Sequence, residues 1–406
     1  MPPTAPPVTD RHHRARRRSA PTFQVRRERA RERVVRPLRR AAPALLGYFA
    51  LRMLGVVVLG HWSHLRGHGL WPALATSWDS GWYLEIADQG YDSALGTRRN
   101  SNNLAFFPLY PALVKAVAGF TPGSRASVGL LIAAACSLVA AWGIFAIGDH
   151  LYGRRAGTAL TVLWGSMPVA IVQWMGYTEA LFTALTAWAL YAVLTGRWLW
   201  AGSLAALAGL TRPTGIAVAA AVSVTAAVLL WQSWRRERGV DRAVLAAGLL
   251  APLGWFGYVA WVGLRLGRWD GYFAVQKLWL NEWDGGADTL REMRRFLLYQ
   301  SRPHLFLVVV TVVLIASVAL YLVCLADRLP LPLLVFTGVL LLVVIGSGGV
   351  YFPRARFLVP GFPLLLPIAL AVVRARPLVA VLVMGGMALS SVWFGAYTHL
   401  LWTGPP

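Results

Sequence analysis

The chemically densest stretch of this sequence is an aspartate set among aromatic rings, Trp78-Asp79-Ser80-Gly81-Trp82-Tyr83, followed by Phe106-Phe107-Pro108-Leu109-Tyr110-Pro111. A carboxylate in such a setting can take a proton from an attacking hydroxyl, and aromatic faces stack on sugar rings. Each feature also has a structural alternative: Trp and Tyr gather at membrane surfaces, and aspartate is a common helix cap. Farther along, Glu179 in Tyr177-Thr178-Glu179 and Arg212 in Thr211-Arg212 stand at the ends of apolar segments, where ionisable residues are functional candidates. Arg212, Arg354 and Arg356 are the residue type that grips phosphate with a planar fork, with snorkelling to the membrane surface as the competing explanation.

The segments that must position these residues are apolar. Of 406 residues, 57% are hydrophobic and 14% charged, a balance that excludes a soluble α/β protein and fits an all-α, polytopic transmembrane helix bundle. Windows of bilayer length predict spans near 42–60, 126–148, 157–173, 178–195, 198–210, 214–232, 243–264, 304–325, 330–347, 357–373 and 377–400, about eleven in all. Two large loops interrupt them, 61–125 and 265–302. Within the first, 106–118 is too broken by proline to span and reads as a helix along the interface, guiding a lipid tail or simply packing. The second carries two acidic and aromatic clusters, Arg268-Trp269-Asp270 and Glu282-Trp283-Asp284.

The formal charge of +22 suggests nucleic acid until its distribution is read. Thirteen arginines fall between Arg11 and Arg40, ahead of the first span, where positive charge holds a terminus in the cytoplasm. Residues 1–40 therefore read as a basic, disordered cytoplasmic arm lying on anionic lipid, and 41–406 as the membrane domain, with no nucleic-acid partner required. The even-numbered returns carry Arg154-Arg155, Arg197, Arg235-Arg236-Glu237-Arg238, Asp327-Arg328 and Arg374-Arg376, which fits a multi-pass plasma-membrane topology with that arm inside. Asp79, Glu179, Arg212, the 265–302 loop and Arg354–Arg356 then share the extracytoplasmic face.

Cys136 and Cys324 lie inside apolar runs and form neither a disulfide framework nor a metal site. His61, His64 and His68 fall at helical spacing, but glycines interrupt the run and interfacial histidines are common without ligands. No metal ligands are assigned, no cofactor is indicated, and a divalent-metal requirement is left open. There is no Walker motif or dinucleotide fingerprint, so an activated substrate must come from the membrane rather than from a nucleotide.

The aromatic and acidic loop resembles that of the GT-C glycosyltransferases, specifically the PIG-V type, the second mannosyltransferase of glycosylphosphatidylinositol synthesis, and its bacterial relatives. Tyr177-Thr178-Glu179-Ala180-Leu181-Phe182, Leu210-Thr211-Arg212-Pro213-Thr214-Gly215 and Arg356-Phe357 leading into Pro360 and Pro363 follow in that family's order. The arginine-rich arm departs from its pattern. The resemblance implies a membrane mannosyltransferase that takes mannose from a polyprenyl-phosphate carrier and delivers it, with inversion, to a glycan, glycolipid or glycoprotein hydroxyl. Asp79 would be the general base, and Trp78, Trp82, Tyr83, Glu179, Arg212, Arg354 and Arg356 would bind substrate. The competing function is a transporter or flippase of lipid-linked or small polar substrates, whose buried charges would line a pathway.

Overall fold

The computed structural model describes residues 23–406 apart from 238, 403 and 406, with side chains from Arg36 onward. Most of the basic arm, residues 1–22, lies outside the described residues, and the chain is helical from Phe23. The chain order begins α1 (Phe23–Leu65), α2 (Leu70–Ala75), α3 (Asp79–Gln89), α4 (Leu109–Ala118), α5 (Arg125–Tyr152), α6 (Arg154–Gly165), α7 (Glu179–Leu194), α8 (Trp198–Gly209) and α9 (Gly215–Arg235). It continues with α10 (Arg242–Leu250), α11 (Leu253–Leu266), α12 (Gly271–Leu278), α13 (Ala287–Arg294), α14 (Leu305–Ala326) and α15 (Leu331–Gly346). A short α16 (Arg354–Phe357), α17 (Leu366–Arg374) and α18 (Pro377–Leu400) complete it. Among the described residues the only β pairing outside these helices is an isolated bridge between Trp283 and Ser347. Residues 41–406 make one compact unit.

The bundle is apolar on its outside as well as inside. Leu378, Leu382 and Leu389 of α18 and Val312, Ile315 and Leu322 of α14 are exposed, a surface that water would not tolerate but lipid does. Among the described residues six helical segments are long and apolar enough to cross a membrane: 36–65, 125–152, 215–235, α10 with α11, α14 and α18. The other predicted spans are helical but short. Helices α7 and α15 have 16 residues each and α8 has 12, at 1.5 Å per residue too few for a full bilayer. Of the eleven predicted spans, six therefore coincide with long helices among the described residues and the others with shorter helical pieces.

Short helices pack closely because their contacts are small. A Cβ on Gly254 of α11 would overlap the Ala206 carbonyl of α8, so only glycine permits that approach. At the centre, buried Trp164 stacks on Tyr48 at 5.2 Å and donates its indole N–H to the Val359 carbonyl at 2.9 Å. The Tyr48 hydroxyl in turn donates to Gln173 at 2.9 Å. This cluster joins α1, α6, the turn at 170–174 and the stretch following α16, and so fixes the backbone that carries Arg356.

Candidate functional site

Several helices stop at one level, and the connections between them enclose a cavity of about 410 Å³, within the range of small-molecule sites. Its floor is charged and its walls are aromatic. Asp79 and Glu179 are each the first residue of a helix, α3 and α7, where the unpaired N–H groups favour negative charge. Arg212 lies in the corner between α8 and α9, and Arg356 in α16.

These four residues form an alternating chain of charge. Arg356 Nη2 meets Asp79 Oδ2 at 2.6 Å, Arg356 Nε lies 3.2 Å from Glu179 Oε1, and Arg212 Nη1 reaches the same Oε1 at 2.6 Å. Two cations against two anions make the group neutral, which is what allows it to be buried at all. The side chains of Glu179 and Arg356 are 1% and 4% exposed, whereas that of Asp79 is 24% exposed and opens on the cavity. Burial would lower the proton affinity of Arg356, but Asp79 and Glu179 beside it overcome that and raise it, so the guanidinium stays charged. Its Nη1 has no hydrogen-bond acceptor among the described residues. Thr178 accepts from Arg212 Nη1 at 3.1 Å and lies 3.1 Å from the Tyr83 hydroxyl, tying the wall to the floor.

Above the charges, Trp82 packs on Phe106 at 5.7 Å and edge-on to Trp279 at 5.4 Å. Asn100, Gln276 and Asn281 add neutral amides to the cavity lining. The two large loops close over it together. Trp279 donates to the Asn102 carbonyl at 2.9 Å, Arg265 to the carbonyls of Asp92 and Tyr91 at 2.6 and 2.8 Å, and Tyr258 to that of Phe106 at 2.7 Å. Asn102 and Asn103, both buried, cross-link the first loop internally: Asn102 donates to Ala94 and Leu95, and Asn103 accepts from Asp92 N–H.

Of the residues singled out in the sequence, Asp79, Trp82, Tyr83, Arg212 and Arg356 line the cavity together. Three do not. Trp78 turns away: its backbone sits at φ 50°, and its ring packs on His399 at 5.1 Å. Glu179 lies beneath the floor, where it holds both arginines instead of facing a ligand. Arg354, only two residues from Arg356, leaves the floor, bonds the Thr289 hydroxyl and donates to the Ser347 carbonyl at 2.6 Å. The 106–118 segment divides: Phe106 and Phe107 line the cavity, while α4 buries Tyr110 and Val114 in packing. Arg268 and Asp270 pair with each other at 2.7 Å in the open, away from the cavity, and that pairing holds the Asp270 carboxyl below its ordinary range. Sequence reasoning missed Trp279 and the three amides, which carry no pattern of spacing. Among the described residues no cluster of His, Cys, Asp or Glu is arranged to hold a metal ion.

A sequence profile described as dolichyl-phosphate-mannose-protein mannosyltransferase matches residues 108–261, well under half of the chain. The match takes in Glu179 and Arg212 but neither Asp79 nor Arg356. No curated protein sequence matches the chain. Among solved structures, the oligosaccharyltransferase of Archaeoglobus fulgidus in its apo form superposes with a TM-score of 0.51 at 11% identity, over 88% of this chain and 56% of that one. A structure of the same organism's oligosaccharyltransferase AglB, in complex with an inhibitory peptide and a dolichol-phosphate, gives 0.49 at 14% identity over the same shares. The chain therefore has a GT-C-like fold and spans a little over half the length of that oligosaccharyltransferase.

Proposed function

We propose that this protein is a plasma-membrane glycosyltransferase, a bacterial relative of the PIG-V type, that transfers mannose from a polyprenyl-phosphate carrier to a hydroxyl on an extracytoplasmic glycan, glycolipid or glycoprotein. One observation carries the reading: a partly exposed carboxylate, Asp79, shares a cavity floor with Arg356 and Arg212, beneath aromatic walls. That is the pairing such a transfer needs, a proton acceptor beside cations for a phosphate. The matched mannosyltransferase profile and the GT-C-like fold agree with it.

In the proposed step the acceptor oxygen attacks the anomeric carbon as the bond from that carbon to the phosphate oxygen breaks. The acceptor proton passes to Asp79, and the electron pair leaves with the polyprenyl phosphate, whose charge Arg356 and Arg212 hold. Direct displacement inverts the centre, so a β-linked donor gives an α-mannoside. A phosphate is a stable leaving anion and needs no strong general acid. With the N-terminus cytoplasmic, the cavity opens on the outer leaflet, where carrier-linked sugar and acceptor meet.

The test is purified protein in liposomes supplied with carrier-linked mannose and cell-envelope acceptor. A new glycosidic bond is the expected result. Movement of the carrier across the bilayer with no bond formed would instead establish the transporter.

A further inference from the structure

Beside the main cavity lies a second, smaller chamber of about 120 Å³, large enough for roughly one tetrahedral oxyanion or a few waters. It shares Arg212, Gln276, Asn281 and Phe357 with the main cavity and adds Thr214, Ser347 and Arg354. Two of these added groups are unusual. Arg354 is 2% exposed, yet no carboxylate lies within ion-pair distance of it among the described residues; its guanidinium bonds the neutral Thr289 hydroxyl and Ser347 carbonyl and lies over the Tyr351 ring at 5.1 Å. The acids facing it are already engaged. Asp284 accepts from the N–H groups of Gly286 and Asp288, Asp288 accepts from Arg291 and the Gly349 N–H, and Glu292 pairs with Arg295. Thr214 is 5% exposed, and its hydroxyl has no hydrogen-bond partner among the described residues: it stands just ahead of α9 without capping it.

A buried cation that no carboxylate touches and a buried hydroxyl without a partner are each costly, and a ligand is one thing that satisfies such groups. Here both line one chamber, with Arg212 at its mouth. Arg52 of α1 is also buried and without a carboxylate, but it lines neither cavity.

We propose that this side chamber is a phosphate subsite, in which Arg354 supplies the charge and Thr214 a hydrogen bond to an oxyanion distinct from the one displaced at Asp79. Two sources share this chemistry: a phosphate group carried by the acceptor, and the second phosphate of a diphosphate-linked donor, which would replace the monophosphate carrier proposed above. The source rests on the transferase reading, whereas the subsite itself does not.

The direct test uses full-length protein in neutral-lipid nanodiscs with inorganic phosphate and diphosphate as probes. Wild type is expected to bind, Thr214→Val to bind about tenfold more weakly, and Arg354→Gln to lose binding. Thr214→Val removes no cap and preserves shape, so it remains informative if Arg354→Gln fails to fold. Absence of binding, or binding unaltered in Thr214→Val, overturns the subsite. In turnover, a raised KM in Thr214→Val confined to a diphosphate-linked donor assigns the donor's phosphate. One confined to a phosphorylated acceptor, against its dephosphorylated form, assigns the acceptor's, and an unchanged KM in both comparisons overturns the substrate role. A wild type that binds the probes through Thr214 but forms no glycosidic bond supports the subsite and counts against the transferase reading alone.

Discussion

Arg356 and Arg354 stand two residues apart in one short helical turn, both are buried, and they have opposite surroundings. Arg356 touches two carboxylates and belongs to a neutral floor, whereas Arg354 touches two neutral oxygens and the Tyr351 ring. Residue type alone does not separate them. A guanidinium paired on two sides is a positioned part of a site whose charge is already balanced. One held only by neutral acceptors either clips the chain or waits for an anion.

If the floor works as one neutral unit, removing its hub has a large effect. Glu179→Gln leaves two buried arginines facing Asp79 alone, a loss of roughly 3–5 kcal/mol by analogy with broken buried pairs. The expected outcome is a strongly lowered melting temperature together with lost transfer. A variant that melts like wild type would show that the charges do not depend on one another.

A smaller effect sharpens the difference between the two arginines. Arg212→Lys and Arg356→Lys keep charge but lose the planar fork, and the KM for a monophosphate-linked donor should rise on the order of tenfold. The same change at Arg354 should leave that KM near wild type. Equal rises at all three positions would merge the two regions into a single phosphate site.

The clip around Arg354 can be broken without touching a charge. Gly349 sits at φ +90°, and a Cβ there would overlap the Leu280 carbonyl. Gly349→Ala should therefore cost about 1–3 kcal/mol locally and expose 280–290 to protease, with a milder loss of turnover than any change in the floor. The smallest effect is in acid. The Asp288 N–H, with that of Gly286, holds the Asp284 carboxyl below its ordinary range, so its contribution is present at neutral pH and fades as pH falls below about 4. Amide exchange across 282–289 should quicken there, and Asp284→Asn should remove that dependence.

Much of this was legible in the sequence for physical reasons. Apolar run length revealed the helices, and the rarity of charge in such runs drew attention to Glu179 and Arg212. An aspartate among aromatic residues pointed to the cavity. What the sequence did not contain was pairing across distance: Arg356 and Asp79 are 277 residues apart, and nothing in either motif names the other. Hydropathy windows do not report helix length, and the predicted span at 198–210 is a helix of 12 residues. Trp78 was read with its neighbours, but one backbone angle turns it to the other side. Asn100, Gln276 and Asn281 came together only through the folding of the two loops.

The most direct test is transfer from carrier-linked mannose by purified, monodisperse Asp79→Asn, with donor affinity measured separately. Asn keeps the shape and one acceptor oxygen, so a carboxylate that merely begins α3 would tolerate the change. A base would not. The account predicts a loss of about a hundredfold to ten-thousandfold in rate, donor affinity close to wild type, and little recovery in Asp79→Glu, whose carboxylate is displaced by one methylene. Wild-type turnover in Asp79→Asn would contradict it and remove Asp79 from the chemistry.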